Sequence, residues 1–264
     1  MSTASYPMAD TATMLRRNLR HALRYPGLSL GAIGMPVVML LLFGLVFGDT
    51  FSAGLGGGGT GFDYIDFLTP GILLMGIASG TMSPAVAACT DMTEGIVARF
   101  RTMAIFRPAV LTGHVIGATI LTVVSLVLVV AFAILLGFRP NASFTDWLLA
   151  SGLLIALTVA FTWFGVALGL TSKTPEGASN IVLPISFVLP FLSTTFIPLE
   201  SLPSGIRWFA EYQPFTPIIE TLRHLLLGTP NATGNGWLSI AWCAAIAVVG
   251  YFWSQKTYNK GTAA

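Results

Sequence analysis

The sequence predicts an all-α membrane protein, with six transmembrane helices in one domain that covers residues 1–264. Only 9% of its residues are charged and 54% are hydrophobic, whereas roughly 25% of an ordinary soluble domain is charged. In a bilayer the backbone must satisfy its own hydrogen bonds, so long apolar runs form helices. Six runs contain no charged residue, namely residues 28–47, 67–89, 109–137, 147–170, 177–197 and 237–253.

The distribution of basic residues predicts how these helices are oriented, because lysine and arginine collect on the cytoplasmic side. Arg139, Arg207 and Arg223 belong to one set of connecting segments. The other ten of the thirteen basic residues belong to the second set, at positions 16, 17, 20, 24, 99, 101, 107, 173, 256 and 260. We therefore expect a multi-pass protein with both termini in the cytoplasm.

Residues 10–25 precede the first apolar run and have the pattern of an amphipathic helix. Leu15, Leu19 and Leu23 share one stripe, and four arginines lie mostly on the other side. We expect this helix to lie on the inner leaflet, with its arginines toward anionic lipid headgroups. A disordered basic tail is the alternative. The run 28–47 is longer than the apolar part of a typical signal peptide, so we interpret it as a retained span.

Residues 91–106 separate the second and third runs and combine charge with a helical repeat of apolar side chains. The apolar positions on one helix face are 92, 96, 100 and 103. Asp91 is the expected N-cap, with Glu94 three residues later and Pro108 preventing continuation. A short helix of this kind suits docking into a groove on a partner. A loop on the membrane surface is the alternative.

Residues 198–236 are too polar to span the membrane, but they contain two short helical stretches. Thr216 followed by Pro217 is the expected start of the second helix, and Gly228 is its expected end. The aromatic residues of this segment give it an apolar side. We expect the segment to re-enter the outer leaflet or to cover a cavity.

Motifs for nucleotide binding lack the context that they need. Gly54, Gly56 and Gly59 match G-x-G-x-x-G, but no strand precedes them. Thr60 stands where the P-loop requires lysine, so we expect neither bound ATP nor another cofactor in this chain.

Catalytic and metal-binding motifs are equally weak. The GIASG segment at residues 76–80 is similar to a serine protease motif of membrane enzymes, but small residues in a span usually pack helices together. The three histidines are scattered, and two cysteines are too few for a zinc site. We expect no enzyme activity and no metal site.

The apolar runs also contain no Asp, Glu, Lys or Arg, the residue types that ion-coupled transporters often keep at membrane depth. If the protein is a pump, its energy must therefore enter from outside the membrane.

Three stretches together resemble the membrane subunits of bacterial ABC exporters. They are DFLTPGILL at 66–74, EGIVARFRTMAI at 94–105 and the long run at 196–228 that includes the Tyr-Gln-Pro-x-Thr-Pro core at 212–217. The nearest kind is the daunorubicin-resistance permease of the ABC-2 type, and the likeness covers nearly the whole chain. The resemblance implies the ABC-2 exporter fold and a place in a bacterial plasma membrane.

The resemblance also implies a role for residues 91–106, because this family has a coupling helix there that docks into a cytoplasmic ATPase. The docking residues in this sequence are Glu94, Gly95, Arg99, Phe100, Arg101 and Met103. The implied partners are two copies of that ATPase, which binds ATP and Mg, a second copy of this chain and membrane lipids. No nucleic acid is expected. The N-terminal helix corresponds to a connecting helix, and residues 204–212 and 217–227 correspond to re-entrant helices.

The cargo pathway is expected between the second and fifth spans of two copies. Its candidate wall residues are Met75, Ser79, Met82, Phe187, Phe191, Thr194 and Phe196. An uncharged wall rich in methionine and aromatic residues suits a drug-like molecule, lipid or glycolipid. The same residues are also suited to ordinary helix packing. Polysaccharide export and a non-transporting membrane scaffold are the alternative functions.

Overall fold

The computed structural model describes residues 26–46, 48, 64–94, 107–229 and 236–260, and these residues are helical or form turns and short connections. The predicted all-α class is confirmed for this part of the chain. The helices are α1 (Pro26–Leu41), α2 (Tyr64–Gly80), α3 (Met82–Thr93), α4 (Arg107–Leu135), α5 (Phe144–Thr171), α6 (Pro175–Phe191), α7 (Ser204–Tyr212), α8 (Phe215–Leu227) and α9 (Gly236–Lys260). A π-helical turn, Leu42–Val46, extends α1, and a 3-10 turn, Leu199–Ser201, precedes α7. The predicted amphipathic helix at 10–25 lies outside the described residues.

Four helical segments are long and apolar enough to cross a membrane, so the protein is an integral membrane protein. They are Tyr64–Thr93, Leu111–Leu135, Phe144–Thr171 and Gly236–Tyr258. Two further helices coincide with predicted spans but are shorter, since Gly34–Val46 is the apolar part of the first and α6 has 17 residues. Six spans therefore remain a prediction, with four supported by length and composition.

The second predicted span, residues 67–89, is longer than expected and divided into two helices. Together α2 and α3 run from Tyr64 to Thr93, with an interruption at Thr81. Pro84 explains the interruption, because it has no N–H for the carbonyl of Gly80 and its ring crowds that carbonyl. At the interruption, the Thr81 N–H donates to the Ala78 carbonyl three residues earlier, at 3.2 Å, and this shorter loop tightens the chain locally.

The fifth predicted span, residues 177–197, is wrong at its end, because α6 stops at Phe191 and residues 192–196 form turns. The Ser193 hydroxyl donates to the Pro190 carbonyl at 2.6 Å and lies 2.8 Å from the Thr195 hydroxyl. Such local bonds compete with helical bonding. An apolar run without charge did not reveal this stop.

The two helical stretches predicted after residue 198 are confirmed as α7 and α8, but the predicted cap of α8 is wrong. The N-cap is Pro214, so Thr216 lies inside the helix, and its side-chain oxygen has no hydrogen-bond partner among the residues that the structure describes. The predicted end is correct, because Gly228 terminates α8 with a left-handed φ of 69°. That conformation is one that glycine adopts without steric cost. Whether these helices enter the membrane remains a prediction.

Helix α5 packs along α9 and against α3 and α4, and glycines allow its closest contacts. A Cβ on Gly169 would lie 2.0 Å from the Ala85 carbonyl oxygen of α3, and one on Gly165 would lie 2.5 Å from Thr81. A Cβ on Gly250 of α9 would lie 2.7 Å from the backbone of Phe164. Because small residues let helix backbones approach in a bilayer, these glycines set the spacing of α3, α5 and α9.

The buried residues form a large cluster and two small ones, distributed along the bundle. The large cluster includes Leu73, Phe138 and Phe215 and occupies the end that also holds Arg223, which we call the Arg223 end. A small cluster formed by α3, α4, α5 and α9 occupies the opposite end, which we call the Asp91 end. Outward-facing apolar side chains, such as Val127 and Ile240, are exposed and suited to lipid contact.

Candidate functional site

The predicted docking residues follow directly after α3, and one of them is among the described residues. Glu94 is exposed and is the C-cap of α3, where its N–H donates to the carbonyls of Met92 and Thr90. The other five lie outside the described residues, namely Gly95, Arg99, Phe100, Arg101 and Met103. Their role therefore stays a prediction.

Asp91 does not cap a new helix, so that part of the prediction for residues 91–106 is wrong. It lies in the last turn of α3, which continues the preceding span to Thr93. Its carboxylate instead accepts a hydrogen bond from the ring of His114 in α4, at 2.8 Å between Oδ2 and Nε2. Both residues are buried. The partner is 23 positions away, which is why a local capping rule misassigned Asp91.

The Asp91–His114 pair lies at the same end as the small cluster of α3, α4, α5 and α9. The buried members of that cluster are Ala88, Leu111, Val115, Val166, Leu170 and Tyr258. Ala88 and Leu111 are each three residues from a member of the pair, one helical turn away. The apolar cluster and the polar pair therefore join α3 to α4 at the end from which residues 95–106 depart.

The seven predicted pathway residues do not share one environment within a single chain. Met75, Thr194 and Phe196 are buried among the chain's own helices. Ser79, Met82 and Phe187 are half-buried, and Phe191 is exposed. The first three therefore contribute to packing within one chain, and the other four include the surfaces that remain for cargo or a second copy. The pathway itself stays a prediction.

An aromatic cluster brings two of the predicted pathway residues together with one that the sequence did not indicate. The ring of Phe196 lies 4.4 Å from that of Phe43 and 4.6 Å from that of Phe191, measured between centroids. The Tyr64 hydroxyl donates to the Phe196 carbonyl at 3.2 Å. The cluster thereby joins α1, α2 and the end of α6 near the Arg223 end.

Arg223 of α8 is buried and joins three parts of the chain. Its guanidinium donates to the Glu220 carboxylate at 2.6 Å, to the Thr194 carbonyl at 2.5 Å and to the Phe67 carbonyl at 3.0 Å. It also lies over the Phe67 ring, 3.6 Å from the centroid, in a cation–π contact. Each contact uses the fixed fork of the guanidinium, which a lysine would not reproduce.

Burial lowers the pKa of Arg223 to about 10, while the nearby Glu220 carboxylate acts in the opposite direction. The side chain is still protonated at neutral pH. A second polar contact lies at the same end, where the Arg139 backbone N–H donates to the Asp66 carboxylate at 2.9 Å. The Arg223 end is therefore held by polar contacts between α2, α8, the turn after α6 and the connection after α4.

The Tyr-Gln-Pro-x-Thr-Pro core, which the sequence indicated only by resemblance, has a structural role at Gln213. Its side-chain amide donates to the Leu192 carbonyl at 2.6 Å and more weakly to the Leu189 carbonyl at 3.4 Å. These carbonyls belong to the end of α6, where helical donors are no longer available. Gln213 therefore attaches the start of α8 to the end of α6.

The interpretation of residues 76–80 as a packing surface is confirmed. A Cβ on Gly80 would lie 2.6 Å from the Thr122 hydroxyl of α4, and one on Gly76 would lie 3.5 Å from Leu126. The Ser79 hydroxyl has no hydrogen-bond partner among the described residues. Within the same part of the chain, no three potential metal ligands lie together.

Comparison with known proteins identifies the family of this membrane bundle. The family described as ABC-2 type transporter matches residues 9–227. The chain belongs to the ABC-2 type transporter family. It is therefore the membrane subunit of a transporter and not an enzyme, and ABC-2 permeases work with a cytoplasmic ATPase subunit.

Similar permeases come from several bacteria. The chain is 27% identical to the daunorubicin resistance ABC transporter permease protein of Streptomyces coeruleorubidus, over 93% of this chain and 83% of that protein. It is 24% identical to a protein named as a probable doxorubicin resistance ABC transporter permease of Mycobacterium tuberculosis, over 83% and 77% of the two chains. An inner membrane transport permease of Escherichia coli is 23% identical over 73% of this chain and 74% of its own length.

Proposed function

We propose that this ABC-2 permease exports a hydrophobic or amphipathic molecule from the cytoplasm or inner leaflet, driven by a separate cytoplasmic ATPase. The observation that carries the proposal is the similarity over 93% of the chain to a permease named for daunorubicin resistance. The bundle supports it, because the charged residues of the long apolar helices lie near their ends, at positions such as Asp66, Asp91 and Asp146. An uncharged middle is compatible with a cargo that is largely apolar.

Transport of a defined probe tests this proposal. Inside-out membrane vesicles that contain the permease and its cognate ATPase are expected to accumulate daunorubicin when ATP is added. Vesicles that lack the permease, and vesicles with a hydrolysis-deficient ATPase, are the controls. Equal accumulation in all three preparations contradicts export of this class of cargo and favours a non-transporting scaffold.

We further propose that energy reaches the membrane through the docking residues Glu94, Gly95, Arg99, Phe100, Arg101 and Met103. The structure supports this through position, because α3 ends at Thr93 and α4 begins at Arg107, so the docking segment joins two apolar helices. A groove on the ATPase would receive the apolar side chains, and its acidic residues would pair with the arginines.

A charge reversal in the docking segment tests this second proposal. The double variant Arg99→Glu with Phe100→Ala is expected to abolish most of the permease-dependent ATP hydrolysis, because it reverses one charge and removes one aromatic ring of the docking segment. The matched control is Lys256→Glu with Phe252→Ala, which changes an exposed base and an exposed aromatic residue of α9. Unchanged hydrolysis in the first variant would remove the docking role of these residues.

A further inference from the structure

The Asp91–His114 pair is placed where the two helices that flank the docking segment meet. Asp91 lies in the last turn of α3, and His114 lies in the second turn of α4. Their side chains are 2.8 Å apart and are only 8% and 7% exposed. A direct polar bond therefore joins the two helices close to the points where residues 95–106 leave and re-enter the described chain.

Two threonine side chains in the last turn of α3 bond back to the preceding turn of the same helix. The Thr90 hydroxyl donates to the Val86 carbonyl at 3.0 Å, and the Thr93 hydroxyl donates to the Cys89 carbonyl at 3.1 Å. The apolar cluster of α3, α4, α5 and α9 lies at the same end. Met92 of the final turn packs against this cluster, so apolar contacts hold the end of α3 against its neighbouring helices.

A buried ionisable pair is an expensive way to join two helices, because both groups lose their hydration. Packed apolar residues would join them at lower cost, whereas a hydrogen bond with a fixed donor and acceptor specifies one relative orientation. The pair therefore contributes to which orientation α3 and α4 adopt, in addition to holding them together.

We propose that Asp91 and His114 are positioning residues for energy transfer, which keep α3 and α4 in one orientation so that movement of residues 95–106 displaces both helices together. This inference rests on the proposed docking of residues 95–106 on an ATPase. It assigns to two described side chains a task that the docking residues alone do not perform. Loss of the pair is expected to leave the ATPase bound while its movement reaches the Arg223 end less effectively.

A distance measurement in the assembled complex tests the proposal. Spin labels at Leu135→Cys and Trp237→Cys report on the Arg223 end of α4 and α9, where both side chains are exposed. The buried cysteines Cys89 and Cys243 are replaced by alanine. Labelled permease is diluted with unlabelled permease, so that only distances within one chain are measured. The complex with the cognate ATPase is studied in lipid nanodiscs, without nucleotide and with ATP.

With ATP, we compare the population at the ATP-induced distance with the population at the nucleotide-free distance. The ratio of these two populations is expected to be about 2- to 30-fold lower in Asp91→Asn than in the permease with both residues intact, which is the range found for residues that carry coupling. His114→Gln keeps a side-chain donor toward Asp91 and is expected to retain most of the shift. Exchange of the two residues, in the double variant Asp91→His with His114→Asp, is expected to restore part of the ATP-dependent distance shift that Asp91→Asn loses. Ser239→Ala is the matched control, because it removes a buried interhelical hydrogen bond to Thr221 near the Arg223 end.

The outcomes separate this inference from the proposed function. A normal ATP-dependent shift in both Asp91→Asn and His114→Ala overturns the positioning role and leaves the proposed function intact. Absence of the shift in the unmodified permease overturns the proposed energy transfer and the inference with it. Equal loss in Ser239→Ala and Asp91→Asn also overturns the inference, because destabilisation alone would then explain it. Where Asp91→Asn does not assemble, His114→Gln and His114→Ala provide the same comparison.

Discussion

Arg223 is a residue whose full charge is removed from water, being 4% exposed beside a Glu220 that is 7% exposed. Desolvation of two such groups costs several kcal/mol for each ion, and only complete hydrogen bonding offsets that cost. The three acceptors and the ring around Arg223 provide such bonding. Its position therefore depends on α2, the turn after α6 and its own helix at the same time.

Removal of the guanidinium is expected to destabilise the protein strongly. Arg223→Met leaves the Glu220 carboxylate buried without its partner, so the free energy of unfolding should fall by about 3–5 kcal/mol. The measurement is chemical unfolding in detergent micelles. The control is Arg207→Met, which changes an exposed arginine of α7. Its free energy of unfolding should fall by less than about 0.5 kcal/mol.

The double variant Arg223→Met with Glu220→Gln removes both charges. Its free energy of unfolding should therefore decrease by less than that of Arg223→Met alone. Equal stability of Arg223→Met and Arg207→Met would show that the buried pair does not hold the Arg223 end.

At this scale the sequence predicted residue types better than partners. The resemblance marked the segment around Gln213 and Arg223, but nothing local indicates that Gln213 bonds α6 or that Arg223 bonds residues 67 and 194. The same difficulty explains Asp91, where a capping pattern was present and a partner in α4 determined the outcome. Side-chain partners far apart in sequence depend on helix packing, which a local pattern does not contain.

Helix α5 illustrates how single glycines set the spacing between elements. Gly169 and Gly165 face α3 so closely that a methyl group at either position would overlap with Ala85 or Thr81. Among the described residues, Gly152 of the same helix has no neighbour within 4 Å of an added Cβ. The helix therefore contains both a glycine that packing requires and one that packing does not.

Replacement of these two glycines by alanine is expected to have opposite effects. Gly169→Ala forces α5 away from the α3 backbone, and the free energy of unfolding should fall by about 1–3 kcal/mol. Gly152→Ala should raise it by up to about 1 kcal/mol, because alanine favours the helix. Chemical unfolding of both variants in the same micelles provides the comparison. A Gly169→Ala protein as stable as Gly152→Ala would contradict the close contact of α3 and α5.

The elements were predictable where long apolar runs determine them, and less so where side chains interrupt them. Helices α4, α5 and α9 contain the predicted runs, apart from the last two residues of 109–137, and extend beyond their other boundaries. The runs did not show the interruption at Thr81 inside 67–89 or the end of α6 at Phe191, where a proline in the first case and a group of hydroxyl side chains in the second disturb the helical bonding. A hydropathy pattern contains no information on the missing N–H of a proline or on local hydrogen bonds of hydroxyl side chains.

The whole molecule is a bundle whose two ends differ in chemistry. Its Arg223 end is closed by buried polar contacts between α2, α8 and the turn after α6. Its Asp91 end holds a smaller apolar cluster and the Asp91–His114 pair beside the docking segment. Family membership assigns the molecule to transport, and this asymmetry is compatible with a force applied at one end.

The orientation of the bundle is testable at α6, a helix that coincides with a predicted span but is shorter than the bilayer core. Its 17 residues extend about 26 Å at 1.5 Å per residue, slightly less than the roughly 30 Å of a bilayer core. We predict that Lys173→Cys is cytoplasmic and Glu200→Cys is extracellular. Both side chains are exposed. An impermeant maleimide should label only Glu200→Cys in intact cells and both variants after lysis. Labelling of both in intact cells would contradict the six-span topology.

The most direct test of the central claim, that energy enters through contact with a cytoplasmic ATPase, is a photo-crosslink from position 99. A photoreactive amino acid replaces Arg99, and membranes that contain the cognate ATPase are irradiated with and without ATP. The account predicts a crosslink to the ATPase that is absent when the same amino acid replaces Glu200. A position 99 that crosslinks only to lipid or to extracellular proteins would contradict the account.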